Sequence, residues 1–206
     1  MINVNKTIMI THREIVIDIE TVPIDDLELY KQKFPKKPNA RSYKPDKAAL
    51  YWTTGQVCCI GLKWQDDDEI TICTGDEYDT LKEAHEILKG YNDQYVSFNG
   101  IDFDFKFIVG RAWKHLIPIR LPTNRYAKNH HDIYNILGGN YGSSKASLAE
   151  LAYHFGVDDE YWGNGAQVEE WWQAKEWDKI CKHNRGDIIS TYRIWHGYIK
   201  NMYRQF

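Results

Sequence analysis

Four acidic side chains and one imidazole stand out by type and setting: Asp18, Glu20, Asp104 and Asp187 could hold divalent cations, and His183 could accept a proton. Asp18 and Glu20 close the run Glu14-Ile15-Val16-Ile17-Asp18-Ile19-Glu20. A strand sends alternate side chains to opposite faces. Ile15, Ile17 and Ile19 therefore pack into a core, and Asp18 and Glu20 emerge together on the other face. A strand this apolar is normally covered by helices on both sides. Burying two carboxylates there without partners is costly, and a bound cation removes that cost. Oxygen ligands with no thiolate favour Mg²⁺ or Mn²⁺ over zinc or copper. Asp-x-Glu recurs at Asp26/Glu28, Asp67/Glu69 and Asp158/Glu160, but in polar, turn-like or helical surroundings that read as solvated faces.

Two further segments can bring acids to the same place. In Ser97-Phe98-Asn99-Gly100-Ile101-Asp102-Phe103-Asp104, a short buried strand over 95–98 runs into an Asn-Gly turn. Asp102 is the expected N-cap of a helix over 103–115, whose apolar face is Phe105, Ile108, Val109 and Ala112. Asp104 falls in its first turn, where an acid also favours the helix dipole. In His183-Asn184-Arg185-Gly186-Asp187, His183 and Asp187 are one turn apart on the edge of an amphipathic helix. Such a pair on a surface contributes only a few tenths of a kcal/mol, roughly 0.2–0.5. Gly186 weakens that helix by about 1 kcal/mol relative to Ala; close approach of a neighbouring element or of substrate would account for it, and so would simple tolerance of the glycine.

The order Asp-x-Glu, then Asn-x-x-x-Phe-Asp, then an imidazole or aromatic residue four before a final Asp, resembles the DEDD superfamily of 3′–5′ exonucleases. Asp132-Ile133-Tyr134-Asn135-Ile136-Leu137 and Ala146-Ser147-Leu148-Ala149-Glu150-Leu151-Ala152 are similar to the middle of one subgroup, the predicted exonucleases related to the proofreading domain of family B DNA polymerases. The resemblance implies an α/β fold, a ribonuclease H-like mixed β-sheet flanked by α-helices, with two divalent metals and hydrolysis from a 3′ end. The subgroup typically has Tyr where this chain has His183. The other branch uses His one residue further from its Asp, where Lys182 stands here. The imidazole either serves directly as base, since neutral His accepts a proton near pH 7, or lowers activity and moves its pH range. The direct role is the favoured one.

The resemblance and the chemistry then assign roles. Two Mg²⁺ or Mn²⁺ ions about 3.5–4 Å apart can activate water, neutralise phosphoryl charge and help the leaving oxygen. Asp18, Glu20, Asp104 and Asp187 would hold them, with Asp18 bridging both, and His183 would take the water proton. Thr21 and Asn99 are candidates to touch the terminal nucleotide, and Phe103 to stack on a base. Thr21, Asn99 and Phe103 are equally ordinary as turn or core residues. Without metal, mutual repulsion raises at least one carboxyl pKa, so metal binding should stabilise the fold.

The elements that must position these groups follow from pattern. Strands are expected near 13–20, 56–64, 68–73, 95–98 and 119–121. Helices are expected near 25–33, 78–89, 103–115, 131–137, 147–155, 166–174 and 176–203. Ser147-Leu148-Ala149-Glu150 matches a capping box and Gly156 a helix stop. Residues 1–206 form one continuous pattern, expected to be a single domain. No apolar run is long enough to cross a membrane, the N-terminus lacks a secretory h-region, and Cys58, Cys59, Cys73 and Cys181 lack ligand spacing, which together point to a cytoplasmic protein.

A net charge of −3 gives no global attraction to nucleic acid. The basic stretch Lys31, Lys33, Lys36, Lys37, Arg41, Lys44 and Lys47, interleaved with Tyr30, Phe34 and Tyr43, is either a phosphate clamp or a solvated loop. The expected partner is DNA, with single-stranded 3′ ends favoured. An RNA-trimming enzyme of the same chemistry, or a weakly active polymerase-associated nucleic-acid-binding module, are the alternatives. Replication or repair proteins are possible partners.

Overall fold

The computed structural model describes residues 13–34, 45–138 and 146–203. Five strands form one mixed sheet: β1 (Glu14–Pro23), β2 (Gly55–Trp64), β3 (Thr71–Thr74), β4 (Gln94–Ser97) and β5 (His130–Asp132), in the order β3-β2-β1-β4-β5. β1 is antiparallel to β2, and β2 to β3; β4 is parallel to β1 and to β5. The helices are α1 (Leu27–Lys33), α2 (Glu77–Leu88), α3 (Asp104–Lys114), α4 (Ile133–Ile136), α5 (Leu148–Phe155), α6 (Val168–Gln173), α7 (Trp177–Ile194) and α8 (Lys200–Tyr203). The result is the ribonuclease H-like arrangement of a mixed sheet flanked by helices.

Strand alternation decides what faces what. Ile15, Ile17 and Ile19 are buried with Leu81, Phe105, Ile108 and Ala112, under α2 and α3. Val16 is buried on the opposite face with Ile188 and Trp195, under α7 and the turn that follows it. Asp18 and Glu20 share the face of Val16 and so look toward α7. β1 runs three residues beyond the expected end, with a bulge between Glu20 and Thr21. A bulge adds local twist and re-aims the side chains beside it.

A buried ion pair fixes α3 against α2. Arg111 donates through Nε and Nη2 to the two carboxylate oxygens of Glu77, at 2.8 and 2.6 Å, and Glu77 also accepts from the Val57 backbone N–H at 2.7 Å. The neighbouring Arg111 guanidinium and the other donors hold the Glu77 carboxyl below its ordinary pKa against the opposing effect of burial.

Several expectations change. Residues 119–121 are not a strand: Ile119 is core, but Pro118 and Pro122 bracket it and can donate nothing to a ladder. The third strand begins at Thr71 rather than 68, because the Asp67 carboxylate accepts from the Glu69 N–H at 3.0 Å and prolongs the turn. Residues 131–132 are strand, paired in parallel with β4, so the helix expected there shrinks to α4. Asp102 does not cap α3; Phe103 occupies the cap position and Asp102 pairs with Lys106 at 2.8 Å. The last helix opens into a π turn at Trp195–Ile199, where Gly197 sits. The capping box at Ser147 and the left-handed Gly156 stop are present as expected. Residues 35–44 of the basic stretch lie outside the described residues. Among those described, no helix is long and apolar enough to cross a membrane.

Candidate active site

Three distant segments converge over the end of β1. The first turn of α3 returns to the sheet, where the Asp104 carboxylate accepts from the Ile19 N–H at 3.1 Å. From the other face, Asn184 of α7 donates to Asp18 at 2.8 Å. His183 and Asp187 follow on the same helix: His183 Nε2 is 3.7 Å from Glu20 Oε1, and Nδ1 is 3.9 Å from Asp187 Oδ1. One ligand atom from each of Glu20, His183 and Asp187 can be chosen so that all lie within 4.8 Å of one another.

The electrostatics of the four acids are unfavourable on their own. Burial first, then Asp104, Asp187 and Glu20, push the Asp18 carboxyl well above its ordinary value. Burial, then Asp187 and Asp104, do the same to Glu20. Asp104 is raised to about 7, chiefly by burial with Asp132 and Asp187 adding to it, and burial raises Asp187 to about 7. Asp187 Oδ1 is buried without a hydrogen-bond partner. Clustered hard oxygens with one orphaned atom fit a divalent cation.

His183 is 2% exposed, not part of a surface pair. Its Nδ1 lies 2.7 Å from the Trp162 carbonyl. A carbonyl only accepts, so Nδ1 carries the proton and Nε2 keeps a lone pair. Burial lowers the His183 pKa, opposed by that carbonyl, which favours the neutral ring.

The loop over His183 explains two glycines. A Cβ on Gly186 would come within 2.7 Å of the Glu160 carbonyl oxygen, so Gly186 is needed for close approach of this loop. Gly163 has φ +79°, and a Cβ there would meet the Trp171 ring at 2.7 Å. The loop carries Tyr161, whose ring lies 6.4 Å from that of His183. Burial first, then the charges of Asp187, Glu20 and Asp18, raise its phenol to about 12.

The remaining sequence candidates sit nearby with other contacts. Thr21 donates its hydroxyl to the Ala49 carbonyl at 2.8 Å, leaving its oxygen lone pairs to accept. Asn99 is in the left-handed region, φ +62°, and its N–H donates to Asp132 at 3.0 Å. Phe103 is half-buried, 5.4 Å from the Phe107 ring.

The sequence pattern assigns no role to Asn184, Tyr161 or the Trp162 carbonyl, and marks Asp132 only as part of a family-like stretch. Asp132 accepts from the N–H groups of Asn99, Ile101 and Asn135, which shapes the turn before Asp104. A usable signal existed for Asn184: a polar side chain on the apolar side of α7 must find a partner. The others depend on loop placement that no local pattern encodes.

Gly61, opposite Asp18 in the β1–β2 pairing, provides the space for Asn184. A Cβ there would lie 2.1 Å from Asn184 Oδ1 and 2.8 Å from Ile188. Gly61→Ala should therefore destabilise the protein by about 1–3 kcal/mol through overpacking, seen as a lower urea midpoint at unchanged m-value. An unshifted midpoint would show that α7 is not seated closely on β2.

The family described as predicted 3′–5′ exonucleases related to the exonuclease domain of PolB matches residues 56–203. That span contains Asp104, His183 and Asp187 and begins after Asp18 and Glu20. A DNA polymerase from Archaeoglobus fulgidus is 28% identical over 154 residues, 67% of this chain and 19% of the polymerase. The solved family B DNA polymerase from the hyperthermophilic archaeon Pyrobaculum calidifontis matches with a TM-score of 0.64 at 16% identity, covering 91% of this chain and 24% of that one. The chain thus spans about a fifth of the curated relative it matches.

Proposed function

Because the chain belongs to the family of predicted 3′–5′ exonucleases related to the exonuclease domain of PolB, we propose that it hydrolyses nucleotides from the 3′ end of DNA, single-stranded ends above all. Two divalent cations, Mg²⁺ or Mn²⁺, would be held by Asp18, Glu20, Asp104 and Asp187. The observation that supports this is that carboxylates from β1, α3 and α7 lie near enough at the end of β1 to raise one another's pKa, with an Asp187 oxygen left without a hydrogen bond.

When bound, such ions neutralise phosphoryl charge and ease deprotonation of the attacking water. The chain's residues supply the rest. Asn184 fixes the Asp18 carboxylate. The Ile19 N–H fixes Asp104. The Trp162 carbonyl holds the His183 proton on Nδ1, so Nε2 faces the Glu20 side with its lone pair free to take the water proton. Thr21, which follows Glu20, Phe103, which precedes Asp104, and Asn99 would contact the terminal nucleotide.

The grouping of His183 with Glu20 and Asp187 favours a second role, direct ligation of a cation. The two roles separate in variants. As a base, His183→Ala should lower kcat by about 10²–10⁴-fold at an unchanged metal requirement, and His183→Tyr should restore part of it. As a ligand, the same change should raise the metal concentration needed for half-maximal rate. Full activity of the Ala variant would remove both roles.

The activity itself is tested with 3′- and 5′-labelled single- and double-stranded DNA and RNA, in Mg²⁺, Mn²⁺ or chelator. Mononucleotide released from the 3′ end of DNA and stopped by chelator is expected. A preference for RNA would favour the trimming alternative, and binding without hydrolysis a polymerase-associated module.

A further inference from the structure

The turn between the 3₁₀ segment Pro45–Leu50 and β2 is built with care around one half-exposed tryptophan. The Trp52 carbonyl accepts from Arg111 Nη1 at 3.3 Å, and Arg111 is locked in its ion pair with Glu77. Thr54 donates its hydroxyl to the Ala48 carbonyl at 2.9 Å. Thr21, the residue after Glu20, donates to the neighbouring Ala49 carbonyl. The turn is therefore tied both to the end of β1 and to α3.

The Trp52 indole lies against Gly110 of α3: a Cβ on Gly110 would come within 2.8 Å of the ring. Gly110 makes room for this ring, yet Trp52 remains 49% exposed. Its exposed half contributes nothing to the core. From the cap residue Phe103, Phe107 and Gly110 follow at i+4 and i+7; Phe107 is buried against Gly55, so the turn bearing Trp52 covers the side of α3 that begins beside Asp104. The six residues from Asp104 to Gly110 rise about 9 Å along the helix. At about 3.4 Å per base of a stacked strand, that is two to three nucleotides. Lys47, exposed on the same segment, offers a charge for the phosphate backbone.

We propose that Trp52 is a stacking platform for an unpaired nucleobase two or three nucleotides from the scissile phosphate, making this a single-strand binding subsite. It rests on the nuclease function above, deepens it by naming a residue that would hold the unpaired strand, and can be tested separately from catalysis. Base–aromatic stacking needs an accessible base face and tolerates any sequence.

The test is fluorescence anisotropy of 5′-fluorescein-labelled oligothymidylate, twelve or two nucleotides long, in chelator and in Ca²⁺. Trp52→Ala should weaken binding of the twelve-mer by about 10-fold or more, and Trp52→Phe by much less. Gly110→Ala, which displaces the indole, should resemble Trp52→Ala. Tyr153→Ala, which removes an exposed aromatic on α5, should bind as wild type. The dinucleotide should not discriminate between wild type and Trp52→Ala. Melting curves check that each variant is folded. Wild-type affinity in both Trp52→Ala and Gly110→Ala would overturn the proposal. A wild-type protein that binds through Trp52 but releases no nucleotide would sink the catalytic function and leave the subsite standing.

Discussion

Asp18→Asn should abolish nucleotide release, by at least about 10³-fold, while making the metal-free protein more stable. The two effects have one cause. Burial, and then the charges of Asp104, Asp187 and Glu20, raise the Asp18 pKa well above the ordinary value. Asn is nearly isosteric and can still accept from Asn184. It removes one charge from the cluster and one ligand from the cations. The gain should be on the order of 1 kcal/mol, about 2–4 °C in Tm for a chain of this size. Activity assays and melting curves in chelator read the two effects together. Residual activity above about 0.1% would contradict the ligand role, and a metal-free variant less stable than wild type would contradict the explanation by burial and like charge. Asp18→Ala is a poorer probe, because it also strands the Asn184 amide.

Metal should cancel most of the fall of stability with rising pH. Asp104 and Asp187 are raised from 3.8 to about 7 in the folded protein. Between those values the folded state holds more protons than the unfolded state, so metal-free stability falls as pH rises from about 4 to 7. Each group contributes a slope of up to about 1.4 kcal/mol per pH unit. Above pH 7 the two contributions level off. Cations need the deprotonated acids, so added Mn²⁺ should stabilise little at pH 5.5 and strongly at pH 8. At a hundredfold excess over Kd the gain is about 2.7 kcal/mol. Melting curves from pH 5 to 8.5, with Mn²⁺ and with chelator, should therefore diverge as pH rises. Parallel curves would mean that these carboxyls do not bind the ion.

The parts of the site written in local pattern were legible before any coordinates. Alternation of Ile15, Ile17 and Ile19 against Asp18 and Glu20 predicts the face on which the acids emerge, and the Asn-Gly turn predicts a helix entrance bearing Asp104. The i, i+4 relation puts His183 and Asp187 on one side of α7. Burial of His183 was not legible, because the covering loop reaches α7 through Gly186 and Gly163, whose close contacts are tertiary. The same is true of the Trp162 carbonyl and Tyr161. Parallel pairing of 130–132 with β4 overrode the helical pattern of that stretch. Pro118 and Pro122 cancelled the short strand expected at 119–121. The turn at Asp67 delayed β3 by a side-chain hydrogen bond that apolar periodicity does not register.

The central claim is that β1, α3 and α7 give one centre for paired cations. Anomalous diffraction from crystals grown with Mn²⁺ tests it most directly. Two manganese peaks about 3.5–4 Å apart, bounded by Asp18, Glu20, Asp104 and Asp187, are expected. Manganese bound elsewhere, or a single ion with Asp104 turned away from it, would contradict the shared centre.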